Sequence, residues 1–96
     1  MKILLTSRAE KKLYCIWAYI KEKFGEKAAD SFKVKSFRTL QNISYFPEMG
    51  ILEVPDKQIR SFPVSTKTRV FYRIKADKLI VLTFFDSRIN PGKKPK

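Results

Sequence analysis

Within Asp86-Ser87-Arg88-Ile89-Asn90-Pro91, six consecutive residues supply a carboxylate, a hydroxyl, a guanidinium and an amide, directly after a dense apolar run. A guanidinium at the end of a strand is a ready donor for phosphate or carboxylate. Strand ends where basic side chains converge are natural binding positions. The same residues also read as structure. Asn90 before Pro91 starts a turn, Asp86 can accept amides as they leave the strand, and Arg88 can hold Asp86. The inventory narrows the chemistry further. With no histidine and one cysteine, a Ser–His or Cys–His machine and a zinc site are excluded, and no metal or cofactor is expected. Cys15 falls in a helical apolar pattern and reads as a small core residue.

The 96 residues carry a formal net charge of +12. Residues 1–56 hold ten Lys/Arg against seven Asp/Glu, whereas residues 57–96 hold eleven against two. The basic excess lies on the C-terminal strands and tail. Such a field attracts RNA, DNA, ribosomes, acidic protein segments or anionic lipid. The apolar segment Met1–Leu5 stops at Thr6-Ser7-Arg8, too short for a signal sequence or a membrane span. The expectation is a cytoplasmic chain with no membrane partner.

The elements that must position this cluster follow from periodicity. Thr68–Lys75 alternates, with Val70, Tyr72 and Ile74 on one face and Phe71 and Arg73 on the other. Ala76-Asp77-Lys78 is a tight turn. Leu79–Phe85 is apolar throughout, which predicts a central strand buried on both faces. Gln58–Val64 is a further strand, placed at an edge or a bulge by Pro63. Lys2–Leu5 is a short strand, and Ile51–Lys57 is left undecided. Two helices cover the sheet. The first spans about 8–24, with Ser7 and Glu10 as a capping box and a stripe of Ala9, Leu13, Ile16, Trp17, Ile20 and Phe24. Gly25 ends it. The second spans about 27–45, with Ala29, Phe32, Ser36, Leu40 and Ile43 on one stripe, Phe37 beside them and Pro47 as its stop. A one-glycine linker implies an antiparallel hairpin. The fold class is α+β in the order β-α-α-β-β-β: a twisted, mostly antiparallel sheet covered on one face by the helical hairpin. Residues 1–90 form a single domain, and 91–96 form a basic flexible tail.

These features, in this order, resemble the RelE/ParE superfamily of toxins from bacterial type II toxin–antitoxin systems. The resemblance is carried by Ser7-Arg-Ala-Glu, Ile16-Trp-Ala-Tyr-Ile20, Gly25-x-x-Ala28-Ala29-x-x-Phe32, Phe46-Pro47-x-x-Gly50, Ile59-Arg60-x-Phe62-x-Val64, Arg69-Val-Phe-Tyr72 and Phe84-Phe-Asp-Ser-Arg88-x-Asn-Pro91. It implies a growth-inhibiting toxin, of a kind linked to plasmid stabilisation, neutralised by a cognate antitoxin. RelE-like members cut messenger RNA on the ribosome; ParE-like members inhibit DNA gyrase. For a nuclease the resemblance puts Arg69 and Arg88 at phosphate-binding positions and Arg60 near a family lysine. Phe62 stands where a second basic residue belongs. Among possible acids and bases the chain offers only Tyr72, Asp86 or a tail lysine, Lys93 or Lys94. The long helices joined by one glycine resemble ParE more than the nucleases. A nonspecific nucleic-acid-binding domain, or an inactivated toxin, is the alternative from another class.

Overall fold

The computed structural model describes residues 1–89; the expected turn at Asn90-Pro91 and the basic tail lie outside the described residues. The elements are β1 (Lys2–Leu5), α1 (Ser7–Phe24), α2 (Glu26–Tyr45), β2 (Ile51–Val54), β3 (Ile59–Pro63), β4 (Thr68–Lys75) and β5 (Lys78–Asp86). Single 3-10 turns at Pro47–Met49 and Pro55–Lys57 flank β2. The expected order of a strand, two helices and then strands holds. The undecided stretch 51–57 supplies the short strand β2 and the turn after it.

The five strands form one mixed sheet in the order β1-β5-β4-β3-β2. β1 runs parallel to β5, and all other neighbours are antiparallel. β4, not β5, is therefore the central strand. β5 lies beside the short edge strand β1, and its residues alternate between buried and half-buried rather than being buried on both faces. Its apolar composition serves two different surroundings: Leu79, Val81 and Phe84 meet the helices, while Ile80 and Phe85 stay half-buried on the open face. The core-facing positions change parity because β5 carries a bulge. Pairing passes from Phe71–Thr83 to Tyr72–Val81, which leaves Leu82 as an extra residue. Pro63 lies beyond the last β2–β3 pair at Ile51–Ser61, so its missing N–H breaks no bond to that neighbour.

α1 begins where the bulge sits. Thr6, not Ser7, is its N-cap. The Thr6 hydroxyl accepts from the Ala9 amide and donates to the Leu82 carbonyl, both at 3.0 Å, and the Thr6 amide donates to Val81 at 3.1 Å. These bonds to β5 thus fix the residue before Ser7, and the helix starts one position earlier than the capping-box pattern implies. Gly25 (φ 95°) separates the helices with a backbone that L side chains rarely adopt. The helices pack on each other, and α1 lies along β5.

The core joins Ile16, Ile20, Phe32, Leu40 and Ile43 to Val70, Tyr72, Leu79, Val81 and Phe84. All five expected stripe residues of α2 are buried. In α1 only Ala9, Ile16 and Ile20 are; Leu13 and Trp17 are half-buried, and Phe24 is 59% exposed at the helix end. Cys15 is exposed rather than a core residue. It precedes buried Ile16 by one residue, which turns it about 100° around the helix from that position. Among the described residues, no helix is long and apolar enough to cross a membrane.

Candidate functional site

The bulge on β5 decides which face Asp86 and Arg88 serve. Thr68 pairs with Asp86 across β4 and β5, on the side covered by the helices. Asp86 is buried there, and it accepts four hydrogen bonds. Thr68 Oγ1 donates at 2.6 Å and the Arg88 amide at 2.9 Å. Arg88 Nε and Nη2 donate at 3.0 and 2.7 Å, one to each carboxylate oxygen. Burial pushes the Asp86 carboxyl up, but the hydrogen bonds from Arg88 and Thr68 together outweigh it, and its pKa lies below the usual aspartate value. The same pair raises Arg88 above the ordinary arginine range, chiefly through its hydrogen bond to Asp86. The Arg88 guanidinium also lies 5.8 Å from the Tyr19 ring and 5.7 Å from the Phe24 ring. Arg88 is a cation already matched to a carboxylate and lodged against the end of α1. Exposed Phe24 finds its role here.

Arg60 and Tyr72 are cross-strand partners on the same face. Both reach the turn after α2. The Tyr72 hydroxyl donates to the Pro47 carbonyl at 2.8 Å and accepts from the Gly50 amide at 3.1 Å. Arg60 Nη1 donates to the Gly50 carbonyl at 2.9 Å and to Glu48 at 3.4 Å. Gly50 is required by this close approach, since a Cβ there would lie 2.4 Å from the Tyr72 hydroxyl and 2.8 Å from the Ser61 carbonyl. Burial raises the Tyr72 pKa, with the Gly50 amide and the Arg60 charge pulling it partly back. The Tyr72 phenol is fully buried, and both of its hydrogen bonds go to backbone groups of the turn.

Arg69 pairs with Phe85 and Pro63 on the opposite, open face of the sheet. Its Nε and Nη2 both donate to Ser61 Oγ, at 3.2 and 3.0 Å, and that hydroxyl donates to Glu53 at 2.5 Å. The five candidate residues are therefore not brought together. Arg60 and Tyr72 clamp a turn, Asp86 and Arg88 fasten the end of β5 to α1, and Arg69 belongs to a third network behind the sheet. Ser61, Glu53 and Thr68, which complete these networks, carry no sequence signal that singles them out. Arg8, Lys11 and Lys12, which the sequence reading does not single out, line a groove beside Asp86.

The chain matches the family described as ParE toxin of type II toxin–antitoxin system, parDE, over residues 3–91. It belongs to the ParE toxin family. The solved structure of the chromosomal ParDE system from P. aeruginosa contains a chain of the same fold, with TM-score 0.75 at 17% identity over 90% of this chain and 95% of that one. A YoeB/ParE toxin from Agrobacterium tumefaciens is similar at TM-score 0.62 and 15% identity, over 90% of this chain and 98% of that one. No curated protein sequence matches. A ParE-family toxin implies a cognate antitoxin as partner.

Proposed function

We propose that this ParE-family toxin arrests growth by binding DNA gyrase, not by cutting messenger RNA on the ribosome, and that its antitoxin holds it inactive in the cytoplasm. The observation that supports this reading is the state of the candidate nuclease residues. Metal-free RNA cleavage needs cations free to hold the phosphate and a group free to exchange a proton. Here Arg88 is committed to Asp86, Arg69 to Ser61, and Arg60 and Tyr72 to the 47–50 turn. They also lie on two faces of the sheet. A binding inhibitor needs none of them free; it needs a rigid surface, which these same networks provide.

The test is induction of the chain in a bacterium without the antitoxin. Filamentation with DNA breaks supports gyrase as the target. Translation that stops first, with cut messenger RNA, supports the nuclease branch. Unaffected growth favours an inactive toxin or a general nucleic-acid binder.

A further inference from the structure

Between Arg38 and Lys57 the chain runs eighteen residues without a lysine or arginine, and it carries Glu48, Glu53 and Asp56 there. No other interval between its 21 cations is as long. The two most exposed large apolar side chains among the described residues lie in this interval, Phe46 at 69% and Tyr45 at 67%. Ile51 follows at 62%, and Met49 and Leu52 are exposed in the same stretch. Tyr45 ends α2, and Ile51 opens β2, the edge strand farthest from β1. The turn between them is held firmly, because Tyr72 and Arg60 bond Pro47, Glu48 and Gly50 from the core side. β2 has one neighbour, β3, so its other edge is free to pair. Lysine commonly guards such edges. β2 has none, and its bulge after Leu52 leaves Ile51 and Leu52 as the regular part.

We propose that Tyr45–Leu52 is the face that grips the toxin's protein target, seating an extended apolar segment of DNA gyrase along the free edge of β2. Main-chain bonds to the edge supply affinity, and Tyr45, Phe46 and Ile51 cover the segment's apolar side chains. Charge selects this occupant. Glu48 and Asp56 are exposed and form no ion pair among the described residues. They repel nucleic acid and acidic peptides, which the basic remainder of the chain attracts, and they accept a neutral or basic protein segment. A second copy is disfavoured on the same ground. Two chains joined edge to edge at β2 bring like carboxylates together, each within a chain of net charge +12. The inference rests on the gyrase reading for the identity of the target. It adds the face and the residues that make contact.

Binding of the full chain to purified gyrase is measured with and without DNA, and amide exchange of the chain is followed alone and in the mixture. The expected result is binding without DNA, with exchange slowed about tenfold across residues 45–54. Phe46→Ser/Ile51→Lys changes two exposed positions and is expected to bind about thirtyfold more weakly, the loss typical of anchor residues at an interface. Val34→Lys adds the same charge at an exposed position of α2 outside the segment and should bind within about twofold of the unaltered chain. Circular dichroism checks each fold. Should the double variant fail to fold, Ile51→Lys alone is expected to weaken binding about tenfold. Undiminished gyrase binding by the folded variant, an equal loss from Val34→Lys, or unchanged exchange across 45–54 overturns the proposal and leaves the gyrase reading standing. Binding that needs DNA and ignores the double variant assigns the contact to nucleic acid and also overturns it. A chain that sediments as a dimer, with a monomeric double variant of unaltered gyrase affinity, gives the face to a second copy instead. Failure of the unaltered chain to bind gyrase under either condition overturns the gyrase reading, and this proposal with it.

Discussion

Arg88 closes a two-bond fork on Asp86, Nε to one carboxylate oxygen at 3.0 Å and Nη2 to the other at 2.7 Å, just where β5 ends against α1. The pair spans two residues in sequence yet ties three elements together, because Thr68 of β4 bonds the same carboxylate and Tyr19 and Phe24 of α1 flank the guanidinium. Removing one partner leaves the other charge without its match in a largely dry setting. Asp86→Asn is expected to cost about 3 kcal/mol of stability. Arg88→Ala, which strands the fully buried carboxylate, should cost at least as much. Urea unfolding followed by circular dichroism measures both.

The same carboxylate gives a pH signature. Its pKa in the folded chain lies below the ordinary aspartate value of 3.8, so the unfolded chain takes up the proton first. The group therefore favours folding above about pH 4, and that contribution is lost as pH falls through the folded value. The urea midpoint of the unaltered chain should drop on acidification through this range. The drop should be visibly shallower in Asp86→Asn. Identical pH profiles for the two would show that Asp86 is not the linked group.

Tyr72 is expected to be structural. Tyr72→Phe keeps the ring in the core but leaves the Gly50 amide and the Pro47 carbonyl without their side-chain partner, at a cost of about 1–3 kcal/mol. Gly50→Ala should be worse, because the added methyl meets the Tyr72 hydroxyl and the Ser61 backbone. Both variants should lower the urea midpoint with the slope unchanged. Growth arrest should persist in Tyr72→Phe at temperatures where the variant remains folded.

The β4–β5 hairpin offers a stabilising change. Ala76 and Asp77 both have positive φ, 50° and 61°. Two such residues in a two-residue hairpin form the turn that asparagine and glycine favour. Asp77 suits it, whereas Ala76 is strained by its Cβ. Ala76→Asn should stabilise the chain by about 0.5–1 kcal/mol and raise the melting temperature by a few degrees, on the order of 2–8 °C. A fall in melting temperature would contradict the turn geometry.

Much of the fold was legible because hydrophobic period is a strong local signal. The stripe of Ala29, Phe32, Ser36, Leu40 and Ile43 and the alternation in Thr68–Lys75 both appear as expected. Errors arose where long-range contacts decide. Thr6 caps α1 in place of Ser7 because the strand edge at Leu82 holds it, and no local motif encodes a contact 76 residues away. Leu79–Phe85 reads as doubly buried because a bulge changes which residues face the core, and a bulge has no composition of its own here. The site was less legible still. Arg60, Arg69 and Arg88 stand at suggestive positions, but their partners, the Gly50 carbonyl, Ser61 and Asp86, are known only once the strands are registered.

Arg69 separates the two branches of the family by mutation. It is the candidate cation paired to a neutral hydroxyl rather than directly to a carboxylate or a backbone turn. Arg69→Ala leaves Ser61 bonded to Glu53 and the core intact. Growth arrest is expected to survive this change, with the fold checked by circular dichroism. A chain that folds but no longer arrests growth would return Arg69 to a phosphate-holding role.

The most direct measurement is pulse labelling of DNA and protein synthesis in the first minutes after induction, with messenger RNA ends mapped in parallel. The account predicts that DNA synthesis falls first, chromosomal breaks appear, and no new messenger RNA ends form on ribosomes. Protein synthesis that fails first, with fresh ends inside translated codons, would contradict it.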